Sequence, residues 1–192
     1  MGNFGSKVQQ TGYFDPNGSN EAMTSSKTAS GFPYGASYYP LVYAEETWEP
    51  DLQRMAETGI TVLRTNDIHG AWDRLEPQKG HIRLDVLERF YRLAGKHGIH
   101  ILLSTGAASP PLWLARLYPD VRIISSRGEP YPLGGAYHWY CIHHPGYREE
   151  QERFLDVLAV WAVAQPEHFG WQISNELGFP FLPTREPGVS PY

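Results

Sequence analysis

The stretch LDVLERFYRLAGKHGIHILLS, residues Leu84 to Ser104, joins two patterns with different periods. In its first part apolar residues recur every three or four positions, which predicts an amphipathic helix over Leu84 to His97. Gly98 follows, and glycine commonly ends a helix. The next run, Ile99 to Ser104, is short and mainly apolar, which predicts a buried strand. A helix followed at once by a buried strand is the repeating unit of α/β proteins.

The same alternation recurs along the chain. The other predicted strands are Tyr34 to Tyr39, Ile60 to Thr65 and Phe169 to Ser174. The other predicted helices cover residues 44–58, 110–118 and 147–164, with a loop over 66–82 and an irregular stretch over 119–145. Short apolar strands that alternate with helices predict a parallel sheet covered by helices.

A doubly wound sheet and a (β/α)8 barrel both fit this order. No strand is followed by the glycine-rich turn that binds phosphate in nucleotide folds. Polar and aromatic residues instead follow the strand ends, at Tyr38–Tyr39, Arg64–Asp67, Ser104–Thr105 and Asn175–Glu176. Barrel enzymes carry their chemistry on that face. We therefore predict an α/β fold with parallel strands that comprises about the first four β/α units of a (β/α)8 barrel. A complete barrel takes about 250 residues.

Composition narrows the classes of function. The chain has 192 residues, 41% of them hydrophobic, which is enough for one domain with a core. The net charge is −5 and Lys and Arg form no stripe, so nucleic acid is not an expected partner. No apolar run approaches the roughly 18 residues of a membrane span, and the N-terminus lacks a secretory pattern, so a cytoplasmic location is expected.

Residues 1–30 are rich in Gly, Ser, Thr, Asn and Gln and show no periodicity. Such a segment cannot bury enough apolar surface to offset the entropy of ordering, so we predict a disordered leader followed by one domain over residues 31–192. The stretch HWYCIHH offers His138, Cys141, His143 and His144 as metal ligands. A loop with incidental histidines is the favoured interpretation, and we predict neither a metal nor an organic cofactor.

Eight short motifs between Gly35 and Gly178 resemble one known family. In order, they are GASYYP, TWEPDLQRMAETGI, VLRTN, AWDRLEPQKG, AGKHGI, ASPPLWL, HWYC and WQISNELG. Together they resemble the N-terminal half of the catalytic barrel in the glycoside hydrolase family 42 β-galactosidases. The resemblance implies a retaining exo-glycosidase that hydrolyses terminal non-reducing β-D-galactosides with two glutamates.

The resemblance also implies roles for the residues at two strand ends. Glu176 matches the general acid/base, and Asn175 matches the residue that hydrogen-bonds the 2-hydroxyl of the sugar. Arg64 matches an arginine that supports the nucleophile and the sugar pocket, although a surface ion pair is the alternative. Asp67 stands where the family usually has glutamate.

The resemblance leaves the roles of four further residues open. Trp72, in the loop that carries RLEP, either forms a wall of the sugar pocket or packs beneath the loop. Tyr38 and Tyr39 either line the pocket or fill the barrel floor. His138 stands where the family usually has an arginine, three residues before Cys141, and this departure leaves the identity of the sugar open.

The nucleophilic glutamate of the family lies on the seventh strand, and no seventh strand follows here. The chain alone is therefore expected to be inactive. A half-barrel has unpaired edges, so the chain is either a fragment or assembles with a second half, either its own copy in a homo-oligomer or another polypeptide. Two alternative functions stay open: a non-catalytic sugar-binding module, and a glycosidase of a sister family acting on a β-glucoside, β-mannoside or arabinoside.

Overall fold

The structure is a computed structural model that describes residues 32–67, 71–124, 128–133 and 139–175. The predicted leader, residues 1–30, lies outside these ranges, as do two predicted site residues, His138 and Glu176. The elements described below belong to a compact unit that begins at Pro33.

Within these ranges, four strands form a single parallel sheet. They are β1 (Gly35–Ser37), β2 (Val62–Thr65), β3 (His100–Ser104) and β4 (His168–Gln172). Each strand pairs in parallel with the next one along the chain. Strands that follow one another in chain order form a barrel wall, whereas a doubly wound sheet reverses its order. The chain therefore comprises four β/α units of a (β/α)8 barrel, as the sequence predicts.

The helices of the described chain cover the outside of this sheet. They are α1 (Trp48–Glu57), α2 (Trp72–Leu75), α3 (Leu84–Lys96), α4 (Trp113–Leu117) and α5 (Pro145–Val163), and one 3₁₀ turn, Glu45–Thr47, precedes α1. The predicted elements are confirmed to within a few residues at their ends. The predicted loop 66–82 is wrong in one respect, because it contains α2, whose four residues are too few for a periodic pattern.

Side chains alternate between the two faces of the sheet. Leu63 and Leu103 have no exposed surface and belong to the core that the sheet forms with the helices. Phe90 of α3 enters the same core and stacks on Tyr38, with ring centroids 5.7 Å apart. Arg64, next to Leu63, lies in register with Leu102 and is partly exposed. Arg64 therefore faces away from the helices, toward the inside of the barrel wall.

A buried carboxylate attaches the connection between β2 and α3 to helix α5. Glu76 has no exposed surface. Its Oε2 accepts a hydrogen bond from the Trp72 indole at 2.7 Å, and its Oε1 accepts from the Gly80 backbone at 2.6 Å. Arg153 of α5 donates to the same Oε1 at 2.6 Å. The Glu76 carboxylate thus connects the start of α2, the turn that follows α2, and helix α5.

The partners of Arg153 extend this network along α5. Its Nε donates to Glu150 Oε2 at 3.0 Å, and Lys79 forms an ion pair with the other oxygen of Glu150. Burial alone would raise the pKa of Glu150, but the hydrogen bonds from Lys79 and Arg153 outweigh it and lower the pKa. Both carboxylates of the network are therefore matched by cations.

His168 makes the stability of the fold dependent on pH. Within the described chain neither ring nitrogen of His168 has a hydrogen-bond partner, and burial lowers its pKa below 6.5. Below about pH 6.5 the unfolded state therefore binds more protons than the folded state, so the free energy of unfolding falls as pH falls. His168→Phe removes the titration and keeps a ring beside Trp171, whose centroid lies 4.9 Å away.

We expect urea unfolding at about pH 7.5 and about pH 5 to show a larger loss of stability for the wild type than for His168→Phe. An equal loss in both proteins would mean that other groups cause the acid sensitivity.

Candidate active site

The C-terminal ends of β1 and β2 carry a charged cluster. Arg64 Nη2 lies 2.9 Å from Asp67 Oδ2, and Arg64 Nε donates to Ser37 Oγ at 3.1 Å. The Tyr39 hydroxyl accepts from Arg64 at 3.4 Å and donates to Asp67 at 3.4 Å. Two of the residues predicted for the site, Arg64 and Asp67, are therefore in direct contact.

The two members of this ion pair differ in exposure. The Asp67 side chain has no exposed surface, whereas the Arg64 side chain is 36% exposed. A buried carboxylate needs a cation and hydrogen bonds, and Arg64 with Tyr39 supplies them. Arg64 is thus paired with a buried group and not with a surface carboxylate. Its guanidinium has five N–H donors, more than the cluster uses, and it can donate to a ligand on the open face.

Of the two aromatic residues after β1, Tyr38 belongs to the core and Tyr39 to the cluster. Tyr38 is 5% exposed and donates to Asp51 of α1 at 2.9 Å. Burial raises the pKa of Tyr38 to about 12, so it stays a neutral donor. Of the two alternatives for this pair, Tyr38 thus fills the space beneath the site, while the Tyr39 hydroxyl lies at the strand ends.

Asn66 stands between the two charged residues of the cluster and was missed by the sequence analysis. Its φ angle is 67°, in the left-handed region that favours glycine. Its side chain is 1% exposed, and within the described chain neither amide atom has a hydrogen-bond partner. Asparagine directly after a strand is the one sequence signal for this conformation, and it is too weak to identify a site residue alone.

The end of β4 holds Asn175 in a fixed orientation. The amide of Gln172 donates to Asn175 Oδ1 at 3.2 Å and to the Ser174 carbonyl at 3.1 Å. The Thr105 hydroxyl donates to the Ile173 carbonyl at 2.8 Å, which ties this segment to the end of β3. Because Gln172 donates to the Asn175 oxygen, the Asn175 amino group points away from Gln172. Asn175 is 8% exposed, and Glu176 is the next residue.

The structure places Arg64, Asp67 and Asn175 at the same edge of the sheet. β3 lies between β2 and β4, and neighbouring strands are about 4.8 Å apart, so the ends of β2 and β4 are about 10 Å apart. A cation, an amide, a carboxylate and a phenol hydroxyl therefore lie at the C-terminal ends of these strands.

Trp72 does not belong to this group of polar residues at the strand ends. Its side chain has no exposed surface, donates to Glu76, and stacks on Phe154 of α5 with centroids 5.1 Å apart. A second ring, Trp113, contacts it edge-on at 6.1 Å. Of its two alternatives, Trp72 therefore packs beneath the loop. The prediction that it contacts the substrate is corrected, because the ring is enclosed by α5 and α4.

His144, one of the histidines near Cys141, has a structural role. His144 Nε2 lies 3.2 Å from Asp120, and its Nδ1 accepts from the Gly146 and Tyr147 backbones at 3.1 and 3.4 Å. His144 thus caps the N-terminus of α5. In the part of the chain that the structure describes, no group of three or more His, Cys, Asp or Glu side chains could hold a metal ion. None of the helices described there has the length and apolarity that crossing a membrane requires.

Comparison with known proteins identifies relatives of this chain. A family model described as β-galactosidase, for glycoside hydrolase family 42, matches residues 37–183. The β-galactosidase BgaH of Haloferax lucentense is 38% identical over 144 residues, which is 75% of this chain and 21% of the relative. A β-galactosidase of Thermus thermophilus is 33% identical over 144 residues, 75% of this chain and 22% of the relative. This chain thus spans about a fifth of the length of these relatives.

Solved structures agree with the fold. The cold-adapted β-galactosidase of Rahnella sp. R3 matches with a TM-score of 0.73 and 29% identity, over 80% of this chain and 22% of that one. An exo-β-1,4-mannosidase from Opitutaceae bacterium strain TAV5 matches with a TM-score of 0.51 and 20% identity, over 79% of this chain and 26% of that one. The second likeness is one of fold alone. The partial coverage of these structures fits the four β/α units of a longer barrel.

Proposed function

Since this chain belongs to the glycoside hydrolase family 42 β-galactosidases, we propose that it supplies the acid/base half of a retaining exo-glycosidase active site. The proposed substrates are terminal non-reducing β-D-galactosides. The observation that supports this proposal best is the fixed orientation of Asn175 at the end of β4, directly before Glu176, opposite the Arg64–Asp67 pair.

In the proposed reaction, Glu176 first donates a proton to the leaving oxygen of the glycosidic bond. It then acts as a base and activates the water that hydrolyses the glycosyl-enzyme intermediate. The Asn175 amino group donates to or orients the 2-hydroxyl of the sugar, a contact that strengthens in the transition state. A rigid strand end suits both residues, because their positions must be held to within a fraction of an ångström.

The proposed nucleophile is a second glutamate, on the seventh strand of the completed barrel. Retaining enzymes place the two carboxyl groups about 5–5.5 Å apart, and the nearby negative charge raises the pKa of the acid. We propose that this chain alone is inactive, because the described residues form four of the eight strands of a barrel. The barrel would be completed by further residues of the same protein, by a second copy, or by another polypeptide.

The other predicted residues have proposed binding roles. Arg64 donates to the sugar and to the nucleophile from the inside of the wall, while Asp67 and Tyr39 hold its guanidinium in place. His138 contacts the sugar, and its imidazole gives fewer donors than the guanidinium of an arginine. The cytoplasmic location and the disordered leader stay predictions.

A chimera tests the proposed reaction. Residues 37–183 would replace the matching segment of the Haloferax lucentense BgaH β-galactosidase, which supplies the rest of the barrel. With a panel of aryl glycosides, we expect the chimera to hydrolyse the β-D-galactoside fastest and the 192-residue chain to hydrolyse none. Faster hydrolysis of the β-glucoside, β-mannoside or arabinoside would favour a sister-family specificity. A folded but inactive chimera, with galactose binding by the chain, would favour a sugar-binding module.

A substitution of Gln172 tests whether the orientation of Asn175 is needed for catalysis. Gln172→Met keeps the length of the side chain and removes the donor to Asn175 Oδ1. We expect kcat/KM of the chimera for an aryl β-D-galactoside to fall by about 10- to 100-fold, which is the loss of one or two oriented hydrogen bonds.

A double variant separates this effect from a general loss of structure. If Gln172 acts through Asn175, adding Gln172→Met to Asn175→Ala will cause little further loss, because the two residues act as a unit. Additive losses, with an unchanged melting temperature, would show that Gln172 acts independently of Asn175.

A further inference from the structure

The Asn66 side chain is a buried amide that has no hydrogen-bond partner within the described chain. It follows β2 directly, between Arg64 and Asp67, and is 1% exposed. An amide side chain can donate two hydrogen bonds and accept two. Within the described chain Asn66 forms none of them. Buried side chains in this state are uncommon in folded proteins, and each needs an explanation.

The backbone of Asn66 adds a second cost. Its φ of 67° is a conformation that residues with a side chain rarely adopt. Glycine at this position would remove the conformational cost and the unsatisfied amide together. Neither the hydrogen bonds nor the backbone conformation of the described chain therefore explains asparagine here. Backbone outliers of this kind cluster at active sites and ligand-binding sites.

We propose that the Asn66 amide binds hydroxyl groups of the sugar, as a specificity-determining residue of the site proposed above. This inference rests on that proposed function. A sugar hydroxyl both donates and accepts, and an amide can do both toward two neighbouring hydroxyls. The charged neighbours cannot, because Arg64 only donates and the ionised Asp67 only accepts. Asn66 thus adds to the cluster a hydrogen-bonding group that recognises the arrangement of hydroxyls.

Thr65, the preceding residue, provides a contrast within the same strand end. Its hydroxyl also lacks a hydrogen-bond partner in the described chain, and the residue has no exposed surface. Thr65 lies in register with Leu103, a core residue, so its side chain faces the helices and not the inside of the barrel wall. Its unsatisfied hydroxyl is therefore a packing feature, remote from any sugar at the strand ends.

The test compares Asn66→Gly with the control Thr65→Val in the 192-residue chain. Each variant removes one unsatisfied buried side chain, so we expect the urea midpoint to stay the same or rise in both. Galactose binding to the chimera that carries each variant, measured as competitive inhibition of aryl β-D-galactoside hydrolysis, should separate them. We expect Asn66→Gly to weaken binding by about 10- to 100-fold, the effect of one or two lost hydrogen bonds, and Thr65→Val to leave the affinity unchanged.

Three outcomes would overturn the proposal. Unchanged galactose affinity in Asn66→Gly would show that the amide does not contact the sugar. A lower urea midpoint in Asn66→Gly would show that the side chain has a structural role. Absence of galactose binding in the chimera without either variant would instead reject the proposed function, and this inference with it.

Discussion

Glu76→Ala is expected to lower the free energy of unfolding of the chain by about 3–5 kcal/mol, as is typical when one partner of a buried ion pair is removed. The carboxylate accepts from the Trp72 indole, the Gly80 backbone and the Arg153 guanidinium. Its removal leaves two neutral donors unpaired in the interior, at about 1–3 kcal/mol each, and leaves Arg153 with Glu150 as its remaining carboxylate partner. The Arg153 side chain is 34% exposed, so water offsets part of the loss at that partner.

Urea unfolding monitored by tryptophan fluorescence measures this loss directly, because Trp72 belongs to the network. Glu88→Ala is the matched control, since Glu88 is an exposed residue of α3. Surface substitutions of this kind change stability by about 0.5 kcal/mol or less. We expect Glu76→Gln to fall between the two, because an amide keeps one acceptor oxygen and loses the charge. A loss below about 1 kcal/mol for Glu76→Ala would mean that the turn after α2 is not held by this carboxylate.

Glu176→Gln is expected to reduce hydrolysis of lactose by the chimera by about 100- to 10 000-fold, the range for loss of a general acid/base. The amide cannot donate a proton to the leaving oxygen, and it cannot remove one from the attacking water. A dinitrophenyl β-D-galactoside needs no proton on its leaving group. We therefore expect its glycosylation step to be nearly unaffected, so that hydrolysis of the intermediate becomes rate-limiting.

The dependence on the leaving group separates acid catalysis from simple damage to the site. A misfolded or misaligned site would lose activity toward both substrates to a similar extent. Glu88→Gln, on the exposed face of α3, is the control and should leave both rates unchanged. Equal losses of kcat/KM, which reports the glycosylation step, for lactose and the dinitrophenyl galactoside in Glu176→Gln would argue against Glu176 as the acid.

Where elements are determined by local pattern, the sequence predicts them well. The strand at β3 and the helix at α3 have the right type and nearly the right ends, because apolar period and the terminal glycine are both local signals. The order of the strands also follows from the sequence, since consecutive β/α units pair in order in a barrel. Arg64 and Asp67 could be placed together because both lie at the end of one strand.

The remaining features depend on side-chain contacts and on a single-residue conformation, neither of which has a periodic pattern in the sequence. The burial of Trp72 comes from Phe154 of α5, which no local pattern around Trp72 reveals. The orientation of Asn175 requires the donor position of Gln172 three residues earlier, on the same edge of the sheet. The left-handed backbone of Asn66 is not encoded by any period, because a single residue in that conformation has no pattern.

The most direct test of the central claim, that Glu176 is the acid/base of a β-galactosidase site, is azide rescue of Glu176→Ala in the chimera. With a dinitrophenyl β-D-galactoside the intermediate forms without an acid, and water then attacks slowly because no base activates it. Azide is already anionic and needs no base. We expect added azide to raise turnover at least about tenfold and to yield β-galactosyl azide. Wild-type activity in Glu176→Ala, or low activity that azide does not raise, would contradict the assignment.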